Sequence, residues 1–298
     1  MSLAAPDASA AGPRSRSTSR IAEGSLLLIT AIWGTTFPLL RTTLRVLHPY
    51  DILALRFTIA AAILCAIYWK RILRADKTAL WDGVLTGLFM AAGYLTQAIG
   101  LTTTSSPRSA FLTGTAVVFV PLVAFLVQRS LVTLEEAAGV ALTFVGLMLF
   151  YADAGLILRA GDLWTLVGAV AFACQVVTTN VAARRSDPFV VSALQAAVAA
   201  ALGWIFVGAH GGLTVPVSAA PWITLLYLGI VATAFILALQ TWALGRTKPV
   251  RAGVIYSLEP VFAAVVATMF FGEGMSPREI LASIAILGGV LVAELKKG

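Results

Sequence analysis

The sequence carries little charge for its length. Asp, Glu, Lys and Arg make up 12% of its 298 residues and hydrophobic residues make up 59%, whereas an average soluble domain has about 25% charged and about 45–50% apolar residues. Apolar runs of about 20 residues, each long enough to cross roughly 30 Å of hydrocarbon, recur along the whole chain. The composition therefore excludes a soluble protein and predicts an integral membrane protein.

Cysteine and histidine are scarce as well. Cys65 and Cys174 lie in separate apolar runs without CxxC spacing, so the sequence does not favour a disulfide framework or a zinc site. His48 and His210 fall near predicted loops, and no HExxH, GxSxG or P-loop pattern occurs. We therefore expect no catalytic residues, no metal, no cofactor and no enzymatic activity, although a membrane-embedded transferase that uses loop residues stays open.

The apolar runs predict helices rather than a β-barrel. A barrel strand alternates polar and apolar residues over about ten positions, whereas residues 189–207 are apolar on every face. Helices satisfy their own backbone hydrogen bonds in lipid, so they are the remaining solution. The ten predicted spans are 21–40, 50–69, 81–100, 107–128, 134–151, 161–181, 188–208, 221–244, 250–271 and 277–295.

The distribution of basic residues predicts the orientation of these spans. With the amino terminus inside, fifteen of the 21 Lys and Arg residues lie on the inner side and five on the outer side, while Arg56 falls within the second span. The positive-inside rule then places both termini in the cytoplasm. We expect a multi-pass protein of the bacterial inner (plasma) membrane.

An internal repeat divides the chain into two halves of five helices. Pro121 in the fourth span matches Pro260 in the ninth, and residues 145–147 resemble residues 289–291. Because five is an odd number, equivalent helices of the two halves must cross the membrane in opposite directions, an arrangement that secondary transporters use for alternating access to one site. The predicted organisation is a disordered basic tail at 1–20, a first repeat at 21–152 and a second, inverted repeat at 153–298.

Polar residues inside the spans are the candidates for a binding site, because they are costly in hydrocarbon and should face the bundle interior. Several are spaced i, i+3, which places both members of a pair on one helix face; Ser192 and Gln195 form one such pair. Together they offer hydrogen-bond donors, acceptors and a flat apolar wall. Packing contacts between helices are the alternative for each residue. The predicted substrate-binding residues are Trp33, Thr36, Tyr94, Gln97, Gln175, Gln240 and Tyr256.

Two charged residues are candidates for gating or proton coupling. Glu259 is the one carboxylate well inside a predicted span, so it could take up and release a proton during transport; pairing with a basic residue such as Arg251 is the alternative. Arg56 lies nearer the outer end of its helix, where it could meet a substrate carboxylate or extend its head group to the membrane interface.

Three prolines mark predicted helix kinks. Pro38, Pro121 and Pro260 each remove a backbone hydrogen bond from an apolar span. Such positions are candidate bends at which one half could flex.

In its motifs the chain resembles the EamA-type transporters of the drug/metabolite transporter (DMT) superfamily. The resemblance spans residues 21–295 and is carried by residues 31–37 (AIWGTTF), 55–57 (LRF) and 257–260 (SLEP), together with Glu273. It implies an all-α membrane protein whose ten transmembrane helices form two inverted repeats around a central cavity. Within that superfamily the chain is most similar to the YddG-type exporters of aromatic amino acids.

We therefore expect a secondary transporter that exports small metabolites by alternating access, with aromatic amino acids favoured as cargo. Its expected partners are the lipid bilayer, the substrate and protons; a nucleic acid is not expected, and the expected state is a monomer. A channel or facilitator is the alternative, although the sequence has no repeated filter-like loop or ring of charge. No ATP-binding motif is present.

Overall fold

The computed structural model describes residues 16–150, 159–271 and 275–294 of the chain. Within these residues the secondary structure is entirely helical and forms ten segments, four of which are interrupted: the first, fourth, eighth and ninth. The helices are α1 (Arg16–Gly34), α2 (Thr36–Thr43), α3 (Pro49–Ile72), α4 (Lys77–Leu101), α5 (Ser106–Gly114), α6 (Ala116–Gln128), α7 (Leu134–Phe150), α8 (Ala160–Arg185), α9 (Pro188–Ala209), α10 (Ala219–Gly229), a π-helical turn (Ile230–Phe235), α11 (Ile236–Leu244), α12 (Pro249–Tyr256), α13 (Glu259–Phe271) and α14 (Pro277–Glu294).

These segments confirm the predicted all-helical fold, and their bounds lie within a few residues of the predicted spans. Eight of them are long and apolar enough to cross a membrane, and the remaining two, α7 and α14, are shorter or more polar and pack against each other. The largest difference is at the start, because α1 begins at Arg16, inside the stretch predicted to be a disordered tail. The rest of that tail and Glu273 lie outside the described residues.

Polar side chains define where the helices begin. The side chain of Asp76 accepts a hydrogen bond from the backbone N–H of Ala79 at 2.9 Å, which caps α4. Proline occupies the first turn of α3, α9 and α12, where its missing N–H costs nothing. The short connections of this protein therefore end one helix and start the next within a few residues.

Equivalent capping boxes begin the fifth and the tenth segments. In α7, the backbone N–H of Thr133 donates to Glu136 at 3.1 Å, and the N–H of Glu136 donates to the Thr133 hydroxyl at 3.3 Å. In α14, Ser276 and Glu279 make the same reciprocal pair at 2.7 and 3.2 Å. The two halves of the chain thus start their last helix with the same local structure.

The contacts between segments follow an inverted repeat. The second segment packs on the seventh, the fourth on the ninth and the fifth on the tenth, so each of these helices contacts its own equivalent. The remaining contacts come in matched sets: the third segment packs on the sixth as the eighth packs on the first. This pattern is the one that a twofold axis in the membrane plane produces, and it confirms two inverted five-helix repeats.

Glycines allow α7 and α14 to cross closely. A Cβ atom on Gly139 would lie 2.7 Å from the carbonyl oxygen of Gly289, and one on Gly146 would lie 2.9 Å from that of Ala282. Since Gly139 is equivalent to Ala282, and Gly146 to Gly289, both contacts are one contact repeated by the twofold axis. The sequence analysis matched residues 145–147 with 289–291, which would pair Gly146 with residue 290, so the structural equivalence of Gly146 and Gly289 differs from that match by one residue.

Replacing Gly146 with valine should therefore separate α7 from α14. Extra atoms forced into a packed contact cost about 1–3 kcal/mol, so we expect a lower midpoint of thermal unfolding for the purified protein in detergent. Gly24→Val is the matched control, because nothing lies within 4 Å of a Cβ atom at Gly24. An unchanged midpoint for Gly146→Val would contradict the close crossing.

Candidate functional site

One central cavity lies among the interrupted segments. Its empty volume is about 670 Å³, including the part that is open to the surroundings. The structure brings together at its wall all nine residues that the sequence analysis proposed for binding, gating or proton coupling, although their roles stay predictions. These nine are Trp33, Thr36, Arg56, Tyr94, Gln97, Gln175, Gln240, Tyr256 and Glu259.

Proline positions explain two of the helix interruptions beside this cavity. Pro38 cannot donate to the carbonyl of Gly34, where α1 ends, and Pro260 cannot donate to that of Tyr256, where α12 ends. Pro121 lies inside α6, which continues through it. Among the three predicted kinks, Pro38 and Pro260 therefore coincide with breaks, whereas the interruption of the fourth segment occurs at Thr115.

A hydroxyl side chain lies at each interruption and returns a hydrogen bond to the backbone. Thr35 donates to the carbonyl of Ile32 at 2.7 Å, and Thr115, Thr233 and Ser257 donate to carbonyls three to five residues earlier at 2.5, 2.7 and 3.1 Å. Such side chains are what make broken helices tolerable in a membrane. The breaks are thus stable features of the cavity wall.

Aromatic rings form two faces of the cavity. The rings of Trp33 and Tyr256 lie 5.3 Å apart, and the ring of Tyr94 meets Phe57 and Phe172 edge-on, each at 5.1 Å. The indole Nε1 of Trp33 has no hydrogen-bond partner among the described residues. The Tyr256 hydroxyl faces Gln240 without a hydrogen bond of normal geometry. Flat apolar surfaces and unused polar atoms therefore occur side by side.

The glutamine amides both bridge helices and line the cavity. Gln97 donates to the hydroxyl of Thr113 at 2.9 Å, and Gln175 donates to the amide oxygen of Gln195 at 3.0 Å. The side-chain amide of Gln195 in turn donates to the hydroxyl of Thr241 at 3.3 Å. Packing and cavity lining, the two alternatives weighed for these residues, are not exclusive here.

Arg56 is buried without an acidic partner. Its side chain is 3% exposed, so it does not extend to the membrane interface, and that alternative was wrong. Nε donates to the Thr233 hydroxyl at 2.5 Å and Nη2 donates to the carbonyl of Ala232 at 3.1 Å, while the guanidinium carbon lies 4.5 Å from the centre of the Tyr94 ring. Neutral groups hold this cation at the cavity wall.

Glu259 is the complementary case. It is 8% exposed, and its side chain has neither a hydrogen bond nor an ion pair with the described residues. Arg251, the basic residue considered as its partner, lies instead 4.0 Å from Glu23 and 3.7 Å from Glu136. The pairing alternative was therefore wrong for Arg251, and the carboxylate is left facing the cavity.

The other buried carboxylates of the described segments all have donors. Asp162 forms an ion pair with Arg108 at 2.8 Å, Asp82 accepts from Arg185 at 3.0 Å, and Glu136 accepts from Lys248 at 2.9 Å. An unpaired charge is expensive in a low-dielectric interior. Among the described residues, Glu259 is therefore a buried carboxylate without a donor, and Arg56 is a buried cation without an acidic partner.

Several wall residues escaped the sequence analysis. Phe37 and Phe172 are apolar residues in apolar runs, and Thr113 and Ser257 carried no signal of spacing or charge. Thr233, which holds Arg56, was missed as well. Its position in the middle of an apolar span could have marked it, since a polar residue there needs a partner.

Comparison with known proteins agrees with this architecture. The sequence matches the EamA-like transporter family twice, over residues 21–152 and 159–295. The chain belongs to the EamA-like transporter family.

Three relatives illustrate the range of similarity. An "uncharacterized transporter" of Archaeoglobus fulgidus is 28% identical over 92% of this chain and 86% of its own length. A "probable amino-acid metabolite efflux pump" of Salmonella typhimurium is 25% identical over 89% of this chain and 92% of its own. A protein of known crystal structure has a TM-score of 0.75 at 21% identity, covering 94% of this chain and 98% of that one, and it supports the fold alone.

The fold, the cavity and the family identify a multi-pass membrane transporter for small molecules, as the sequence analysis expected. The relatives bear the names of transporters or efflux pumps rather than of enzymes. In the part of the chain that the structure describes, no group of three or more His, Cys, Asp or Glu side chains could hold a metal ion.

The cavity should be accessible to small polar reagents. Thr113 lines it and is partly exposed, so a Thr113→Cys variant, made in a background with Cys65 and Cys174 replaced by serine, should react with a small methanethiosulfonate. Thr30→Cys is the control, because Thr30 is fully buried in α1. Equal labelling of both positions, measured by mass spectrometry, would argue against a water-filled cavity.

Proposed function

We propose that this protein exports zwitterionic metabolites, above all aromatic amino acids, by alternating access, and that it exchanges them for protons. The observation that carries the proposal is the pair of buried charged residues at the wall of one aromatic cavity, Arg56 and Glu259, each without an oppositely charged partner among the described residues. The name of the relative from Salmonella typhimurium, a probable amino-acid metabolite efflux pump, supports the substrate class.

The two charged residues are complementary in sign to the carboxylate and the ammonium group of an amino acid. A guanidinium binds a carboxylate through paired hydrogen bonds, so Arg56 is the site for the substrate carboxylate. A carboxylate accepts hydrogen bonds from an ammonium group, so Glu259 is the site for the amino group. The ring of Tyr94 lies 4.5 Å from the Arg56 guanidinium carbon and lines the same cavity as Glu259. The bound substrate would give each of the two charged residues an oppositely charged partner. These ion pairs would offset the cost of desolvating the substrate.

The aromatic rings provide the remaining selectivity. Trp33 and Tyr256 form one wall, and Tyr94 with Phe172 forms another. Offset and edge-on ring pairs contribute about 0.5–1.5 kcal/mol beyond the burial of their area. A flat aromatic side chain placed between these walls would gain that contribution, whereas a small polar one would not.

Proton exchange follows from the presence of one carboxylate. Glu259 can hold a substrate ammonium or a proton but not both, so release of the substrate leaves a buried charge that a proton neutralises. If the carboxylate must be neutralised before the halves reorient, one proton moves inward for each substrate that moves outward. Both halves of the cavity wall belong to one chain, so a monomer suffices.

The basic residues support the orientation. With the start of α1 in the cytoplasm, α7 and α12 also begin inside, and Lys248 and Arg251 lie at that surface beside Glu136. A bacterial inner membrane with a proton gradient directed inward would then drive export.

Transport by purified protein in proteoliposomes tests the proposal as a whole. We expect labelled phenylalanine to accumulate when phenylalanine is present on the opposite side, and its flux to saturate. Flux that rises linearly with concentration would indicate a channel instead, and the absence of exchange for aromatic and other amino acids would refute the assignment.

Replacing Arg56 with glutamine should remove carboxylate recognition. Hydrogen bonds to charged groups contribute about 1.5–3 kcal/mol, so the half-saturating concentration of phenylalanine should rise roughly 10- to 100-fold. Phenethylamine, which lacks the carboxylate, should compete as well as before. Arg71→Gln is the control, since Arg71 pairs with Asp187 at an exposed surface. Equal weakening of both ligands would exclude Arg56 as the carboxylate site.

Replacing Glu259 with glutamine should have a different signature. Phenylalanine and phenethylamine share the amino group, so both should bind more weakly, and an imposed pH gradient should no longer drive transport. Glu279→Gln, which changes a carboxylate in the capping box of α14, should keep the response to the gradient. A Glu259→Gln protein that is still driven by the gradient would rule out Glu259 as the proton site.

A further inference from the structure

The π-helical turn Ile230–Phe235 interrupts the eighth segment without a proline or glycine inside it. A π turn adds a residue to the helical hydrogen-bond ladder and frequently occurs at functional sites. This turn binds Arg56 of α3: the Thr233 hydroxyl and the Ala232 carbonyl, which accept the hydrogen bonds of that side chain, both belong to it.

The hydroxyl of Thr233 has a fixed polarity. It donates its single hydrogen to the carbonyl of Leu228 at 2.7 Å, five residues earlier. It can therefore only accept from a second partner, and that partner is Nε of Arg56 at 2.5 Å. Because Thr233 is 1% exposed, water does not compete for this contact.

These contacts occupy one edge of the guanidinium and leave the other open. Nε and Nη2 form the edge that Thr233 and Ala232 engage, while the ring of Tyr94 covers a face of the group at 4.5 Å. Guanidinium has five N–H donors in a fixed fork. The edge formed by Nη1 and the second hydrogen of Nη2 remains for a ligand with two acceptor oxygens.

We propose that Thr233 is a positioning residue that makes the cavity selective for carboxylates. By holding Nε, its hydroxyl presents the free edge of Arg56 to the substrate in the orientation that paired hydrogen bonds require. The inference rests on the proposed function, since it assumes that Arg56 binds the substrate carboxylate. It adds that a residue of the eighth segment decides how well Arg56 does so.

The experiment compares two ligands across Thr233 variants. Binding of phenylalanine and of phenethylamine is measured on the purified full-length protein by calorimetry, and counterflow is measured in proteoliposomes. For Thr233→Val, which keeps the side-chain shape and removes the hydroxyl, we expect phenylalanine to bind about tenfold more weakly. Phenethylamine should bind unchanged, and Thr233→Ser, which restores the hydroxyl, should return phenylalanine affinity to near that of the parent.

Thr30→Val is the matched control. Thr30 is fully buried, and its hydroxyl donates to the carbonyl of Leu26 within its own helix at 2.7 Å, so its loss should affect neither ligand. If Thr233→Val does not fold, Thr233→Ser against Thr233→Ala makes the same comparison of a hydroxyl with its absence.

The outcomes separate this inference from the function on which it rests. Equal weakening of both ligands by Thr233→Val would mean a structural role, and no weakening of phenylalanine would mean that the hydroxyl does not position Arg56; either overturns the inference. If Arg56→Gln still lowers phenylalanine affinity selectively, the proposed function survives that failure. If Arg56→Gln leaves the preference for the carboxylate unchanged, the proposed function fails as well.

Discussion

The architecture depends on one constraint, which is that a helix broken inside hydrocarbon must have its hydrogen bonds restored. In each of the four interrupted segments a hydroxyl at the break donates to a carbonyl three to five residues earlier and so adds a side-chain hydrogen bond to the irregular backbone; these hydroxyls belong to Thr35, Thr115, Thr233 and Ser257. The breaks are concentrated around the cavity, whereas the uninterrupted helices pack closely on one another as a frame. The irregular backbone thus occurs beside a cavity, which is where a membrane protein tolerates it.

Buried charged residues, like broken helices, need polar partners in this protein. Asp82, Asp162 and Glu136 sit near helix starts, where basic side chains and backbone N–H groups reach them. These pairs hold the ends of the bundle together. Arg56 and Glu259 line the cavity instead, and neither has an oppositely charged partner among the described residues. A buried charge without an opposite charge nearby carries a desolvation cost that an ion pair would offset.

Much of this arrangement could be predicted from the sequence because hydrocarbon leaves few choices. Polar residues such as Gln97 and Gln240 have nowhere to point except inward, which is why an inventory of polar residues found one cavity. The π turn could not be predicted, since 230–235 contains no helix breaker. The partners of Arg251 could not be predicted either, because they come from two other segments. The contacts that keep Arg56 away from the membrane interface are likewise tertiary contacts, which the sequence does not reveal.

The crossing of α7 and α14 has a consequence for how the halves recognise each other. Gly139 meets Gly289 as Gly146 meets Ala282, so the contact is isologous: each half presents a surface that is complementary to its own inverted copy. Each half therefore contains a complete contact surface for aligning itself with the other half. The register of the two halves against each other thus follows from α7 and α14 themselves.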